Sequence, residues 1–176
     1  MFRALLFAVV TSVALFAAAA VAQEGMHEHA AAAPSPLDRL KALEGTWTGT
    51  ADMGGEKNEI KMVWHVTAAG SAVVETQFAG TPHEMVTVYT VEGGNLVLTH
   101  YCAAGNQPRM KARKGGPENE IAFDFAGGAG IDPAHSMHMH SARLVFVDAD
   151  HLHSEWRSMD KGKPGHVGVF DLARSR

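Results

Sequence analysis

The chain has 176 residues, of which 46% are hydrophobic and 19% charged, with a formal net charge of -4. That length argues for one folded domain, ordinary apolar content with low net charge excludes an intrinsically disordered chain, and a single cysteine excludes an internal disulfide framework. No Lys/Arg-rich stripe is present, so nucleic acid is not an expected partner. The composition that stands out is 11 histidines, because imidazole titrates near neutrality and is the commonest protein metal ligand.

The N-terminus has the three-part plan of a secretory signal peptide over residues 1–22. Met1-Phe2-Arg3 is a short positive start, Ala4 to Val21 is apolar or small apart from Thr11 and Ser12, and Ala20-Val21-Ala22 is a small-x-small cleavage signal. The expected location is therefore periplasmic or secreted, without a stable membrane anchor, and Cys102 is expected as a free or intermolecularly paired thiol. Residues 23–36 are Ala/Pro-rich and non-periodic, which predicts a flexible leader before a folded domain over 37–176.

The Ser35-Pro36 pair begins a short helix, since Ser caps and Pro is tolerated at the first helical position. Leu37, Leu40 and Leu43 share one helical face, and Gly45 ends it. Beyond Gly45 the apolar period changes to two. Ile60, Met62, Trp64 and Val66 alternate with Glu59, Lys61 and His65, and similar runs recur to residue 173, separated by Gly, Pro, Asn and Asp. The prediction is all-β: about ten strands in up-and-down order, closed into an antiparallel barrel after one short helix, with closure removing exposed edges. A β-sandwich is the alternative.

Two hairpins have a predictable register. Gly93-Gly94 suits a tight two-residue turn, which opposes Val91 with Leu96, Tyr89 with Leu98, Thr87 with His100 and Met85 with Cys102. The Asp148-Ala149-Asp150 connection opposes Phe146 with Leu152, Ala142 with Trp156, and Arg143 with Glu155 as an outer-face ion pair. These registers place His138 and His140 on the inward face with Ala142, Leu144 and Phe146, and His100 inward with Leu98. His153 falls outside. Val86, Val88, Val97 and Tyr101 make the outer face of the first hairpin apolar as well, which fits cover by another element or a homodimer.

His138-Met139-His140 has the strand spacing of a ligand pair, and His100 with Cys102 comes from another strand. A transition metal or haem held by His100, His138 and His140 is one reading, and hydrogen-bonded interior histidines are the other. Acidic residues fall mostly at solvent-facing or turn positions. The turn at Gly105-Asn106 brings Asn106, Gln107 and Arg109 to a barrel mouth as hydrogen-bond donors. No HExxH, CxxC, GxSxG or phosphate loop is present, so no catalytic residue is assigned.

The helix Leu37-x-x-Leu40-x-x-Leu43 followed by Gly45-Thr46-Trp47 resembles the opening of calycin barrels, the lipocalin and fatty-acid-binding type. The resemblance implies that Trp47 plugs the barrel end and that a late-strand Arg, either Arg157 or Arg174, stacks over it. The strand count is closer to fatty-acid-binding and nitrobindin-like barrels than to eight-stranded lipocalins. The glycine-rich loop of the haem-binding nitrobindin-like proteins is missing, which demotes haem. His100-Tyr-Cys-x-x-Gly-Asn-Gln-Pro-Arg, His138-Met-His-Ser and Glu155-Trp are similar to a group of uncharacterised exported bacterial barrels. The expectation is a barrel binding a small, partly apolar ligand. Its wall would be Met85, Tyr89, Leu98, Leu144, Phe146 and Trp156, with His100, His138, His140 and Arg109 orienting the ligand. A metal or haem protein and a small-molecule enzyme are the alternatives.

Overall fold

A computed structural model describes residues 34–176; the signal-peptide reading and most of the leader lie outside them. The helix α1 spans Pro36–Lys41, with the Ser35 hydroxyl accepting the Asp38 backbone N–H at 3.2 Å. This cap satisfies one of the N–H groups that the first helical turn leaves free. Leu37 and Leu40 are buried and Leu43 follows them into the core.

Ten strands follow: β1 Gly45–Asp52, β2 Lys57–Thr67, β3 Ala72–Gln77, β4 Met85–Glu92, β5 Asn95–Tyr101, β6 Gln107–Ala112, β7 Glu120–Ala129, β8 His138–Phe146, β9 His151–Asp160 and β10 Lys163–Arg174. Each pairs antiparallel with its chain neighbour, and β10 closes on β1, so the sheet is a closed barrel rather than a sandwich. Closure satisfies every strand edge. The alternating strand direction fixes two ends. At one lie α1 and the starts of β1, β5 and β9; at the other lie the ends of β1, β3, β5 and β9 and the starts of β4, β8 and β10.

The α1 end is closed as the resemblance implied. Trp47 is fully buried and its indole N–H donates to the Leu43 carbonyl at 2.7 Å. Of the two candidate arginines it is Arg174 that lies over the ring, 4.4 Å from its centroid, while donating to the Glu44 and Ala42 carbonyls at 2.7 Å each. Arg157 sits on β9 opposite Ser141, exposed. Closure of β10 on β1 also needs Gly49, where a Cβ would stand 1.9 Å from the Asp171 carbonyl oxygen. Trp64, Tyr89, Phe123, Met62, Leu98, Met110 and Leu144 fill the barrel interior and are essentially inaccessible.

Both predicted registers are present, with Tyr89 opposite Leu98, Thr87 opposite His100, Phe146 opposite Leu152, Ala142 opposite Trp156 and Arg143 opposite Glu155. Two details differ. The β4–β5 ladder ends at Val86–Tyr101, so Met85 pairs with Gln77 of β3, while the Cys102 N–H turns to the Asn106 carbonyl. On β8, Met139 pairs with Ser158 and Ser141 with Arg157, which leaves His140 as an extra residue in a bulge. A bulge breaks the two-residue alternation. Ser158 belongs to the inward row Leu152, Ser154, Trp156 and Ser158, so Met139 joins the inward face, while His138 beside it is 1% exposed and His140 half-buried.

Candidate functional site

The open end, opposite α1, holds a cavity of about 40 Å³. Met85, Met139, Trp156 and Phe170 form much of its wall, with Met53 and Gly168 beside them; Gln77, His100, Ser158 and His166 supply the polar groups. Several come from strand ends that the barrel brings here: Gln77 from β3, Met85 from β4, His100 from β5, Met139 from β8 and Ser158 from β9.

His100 is the most constrained of these side chains. It is 1% exposed, and its Nδ1 lies 2.9 Å from the Thr87 hydroxyl, the residue opposite it in the hairpin. Its ring packs at 4.8 Å from the Trp156 ring. Its Nε2 is buried with no hydrogen-bond partner among the described residues. Burial pushes the imidazole down to about 4, so it is neutral at physiological pH.

Beneath the cavity lies a second polar group. Gln77 donates from its amide to Glu75 Oε1 at 3.0 Å, and Tyr89 donates its hydroxyl to Glu75 Oε2 at 2.5 Å. Glu75 is fully buried, and burial pushes its carboxyl up to about 7 against the pull of these two hydrogen bonds. Burial and the adjoining carboxyl push the Tyr89 hydroxyl upward too. Trp64, the register partner of Glu75, stacks on Tyr89 with centroids 5.6 Å apart. Glu75 is the one buried acid among the described residues; the others lie at exposed or half-buried positions, in line with the expectation that the acids are mostly solvent-facing or in turns.

The expected site residues divide into several groups. Met85, His100 and Trp156 line the cavity. Tyr89, Leu98 and Leu144 are inward but belong to the packed core below it. Phe146 lies towards the α1 end, under the Arg39 guanidinium at 4.5 Å. Arg109 is half-exposed and points outward into an ion pair with Glu92, so it is not a ligand-orienting group in the barrel. His138 and His140 do not line the cavity. They contact each other, Nε2 to Nδ1 at 3.2 Å, and both stack on Phe125. His138 Nδ1 lies 3.0 Å from the Ser136 carbonyl, and Asn106 holds the neighbouring Met137 carbonyl at 2.7 Å.

The trio His100, His138 and His140 is therefore split. Among the described residues no three His, Cys, Asp or Glu side chains are grouped to hold a metal ion. Haem does not fit the open end as it stands, because organic cofactors occupy pockets of ~300–1,000 Å³. Sequence reasoning missed Glu75, Gln77, Ser158, Met53, Met139 and His166.

No protein-family model matches the chain, and no curated protein matches it. Solved structures do match. The crystal structure of Rv2717c from M. tuberculosis is similar over 82% of this chain and 100% of that one, with TM-score 0.55 and 17% identity. A protein of unknown function from the DUF3598 family of Nostoc punctiforme is similar over 77% of this chain, with TM-score 0.54 and 14% identity. The match spans 48% of that second protein. At such identity the likeness carries the fold and not a reaction.

Proposed function

We propose that this chain is an exported, calycin-type barrel that binds a small, partly apolar ligand at its open end. The observation that carries the reading is the His100 Nε2: a buried, unpartnered polar atom on a residue lining a cavity otherwise walled by Trp156, Phe170 and methionines. An unpaired buried polar group costs about 1–3 kcal/mol, and a ligand that hydrogen-bonds to it recovers that cost. Gln77 and Ser158 are the further polar groups available to orient the ligand. The volume of about 40 Å³ sets the ligand's size, since a cavity of ~150 Å³ takes up one benzene. Anything larger than a few heavy atoms displaces Met85 or Met139, whose unbranched side chains repack readily.

The test is thermal unfolding against a panel of small amphiphiles graded from acetonitrile and 2-propanol, a few heavy atoms each, to benzyl alcohol and indole, which must displace a methionine, with intrinsic tryptophan fluorescence as a second signal. A ligand at ~100 times its Kd raises stability by about 2.7 kcal/mol, and Met85→Trp, which fills the cavity, abolishes the shift. No shift from the panel, together with a native mass spectrum of bare exported protein, overturns the reading. The same spectrum tests export: the mature chain is expected to lack residues 1–22.

A further inference from the structure

We propose that the open-end cavity is a site for a soft monovalent metal ion, Cu(I) or Ag(I), held by thioethers of Met53, Met85 and Met139 with the His100 imidazole, and His166 at the same cavity. This rests on the reading of the open end as the binding site and names the ligand class. Five side chains lining one small cavity carry thioether sulfur or imidazole nitrogen, and no carboxylate or thiol lines it. Thioether ligands select Cu(I), whereas hard cations require oxygen ligands.

Three further observations support this assignment. First, His100 is already oriented as a ligand. In its Nδ1–H tautomer the ring donates to the Thr87 hydroxyl 2.9 Å away and Nε2 carries the lone pair; in either tautomer Nε2 is buried and unpartnered among the described residues. A ligating histidine characteristically uses its other nitrogen in this way. Second, the volume of about 40 Å³ accepts an ion without displacing any wall residue, whereas an organic ligand must push methionines aside. Third, two glycines admit the donors of the rim. A Cβ at Gly168 would stand 3.0 Å from the Met53 sulfur, and one at Gly54 would stand 3.2 Å from His166 Nδ1. The bulge at His140 completes the set by turning Met139 inward. The Trp156 ring lines the same cavity, 4.8 Å from that of His100, and supplies an optical signal.

The experiment is an Ag(I) titration of the full chain in chloride-free buffer, by calorimetry and tryptophan fluorescence, repeated anaerobically with Cu(I) against a chromophoric chelator. The comparison is the triple variant Met53→Leu, Met85→Leu, Met139→Leu, in which near-equal side-chain volumes preserve packing. Wild type is expected to take up one more ion per chain than the variant, with tryptophan fluorescence quenched, and Zn(II) is expected not to displace it. At that site the triple variant loses roughly a hundredfold in affinity, and Met139→Leu alone roughly tenfold, which serves if the triple variant does not fold. Cys102 does not line the cavity, so ion bound there cancels in the comparison. Equal uptake by wild type and both variants, or displacement by Zn(II), overturns the proposal. If small amphiphiles bind while the Leu substitutions leave Ag(I) uptake unchanged, the metal assignment falls and the open-end site stands. If neither binds, both fall.

Discussion

Two buried titratable groups towards the open end, Glu75 and His100, set opposite pH dependences, and separating them is the sharpest test of this interior. Glu75 is pushed up to about 7 from 4.5, so the folded state holds a proton that the unfolded chain has released. Its contribution is fully present below pH ~4.5 and is lost as pH rises through ~7. His100 is pushed down to about 4 from 6.5, so the unfolded chain takes up a proton that the folded state refuses. That contribution is fully present above pH ~6.5 and is lost as pH falls through ~4. Each alone tilts stability by about 1.4 kcal/mol per pH unit. Between pH ~4.5 and ~6.5 folded and unfolded states hold the same number of these protons, one on Glu75 or one on His100, and the two slopes cancel.

Wild type should therefore show little contribution from this pair across that window, and each single variant should expose the slope of the other group. Relative to wild type, Glu75→Gln gains about 3 kcal/mol as pH rises from ~4.5 to ~7. His100→Asn gains about 3 kcal/mol relative to wild type as pH falls from ~6.5 to ~4. The assay is urea unfolding followed by tryptophan fluorescence at pH 4.5, 5.5, 6.5 and 7.5, with free energies from linear extrapolation. Differences from wild type cancel the surface carboxylates and histidines. A Glu75→Gln curve parallel to that of wild type would refute the reasoning, because it would mean that Glu75 titrates alike in both states.

Gly49→Ala should cost about 3 kcal/mol or more, at or beyond the upper end of overpacking costs, because its Cβ meets the Asp171 backbone at 1.9 Å and not a movable side chain; a melting temperature within a few degrees of wild type would contradict this. Arg174→Met should lose about 2–4 kcal/mol, from its position over Trp47 and two hydrogen bonds made by a charged group. Arg157→Met, the other arginine weighed from sequence, should stay within about 0.5 kcal/mol in the same unfolding assay. Arg143→Ala, which breaks half-buried surface pairs with Glu120 and Glu155, should cost about 1 kcal/mol, and less at high salt.

The barrel was legible because its strands keep a two-residue period and its turns carry glycine. Gly93-Gly94 sets the β4–β5 register by itself, and Tyr89, Leu98, Thr87 and His100 follow from it. The site was less legible for two physical reasons. A bulge leaves no trace in hydrophobic period, so His138-Met139-His140 does not show that the cavity is lined by Met139 and by neither histidine. Strand β3, Ala-Val-Val-Glu-Thr-Gln, has apolar residues on both faces at its start, so its own pattern does not say that Glu75 and Gln77 point inward. Its register with β4 does, by setting Glu75 opposite Thr87. Arg109 failed similarly: pairing of β6 with β5 sets it opposite Thr99, one residue off the face of His100.

The distribution of buried polar groups argues that the open end, and not the fold as a whole, is where function lies. The α1 end is sealed by Leu37, Leu40, Leu43, Trp47, Leu96, Leu152 and Leu172, with arginines lying over its aromatic rings. Towards the other end the buried residues include Glu75, Gln77, Thr87, His100 and Ser158. Apolar side chains of similar size would fill that space at lower cost, since each buried polar group must find a partner or lose free energy. The partners are mostly supplied, through Gln77 and Tyr89 to Glu75 and through Thr87 to His100; Arg39 Nη2, Trp64 Nε1 and Asn106 Oδ1 are also buried without a partner among the described residues, but of these four atoms only His100 Nε2 belongs to a residue lining the cavity. A stable barrel does not require that arrangement. A recognition site does, because the group left unpaired in the empty protein is the one a ligand can pair.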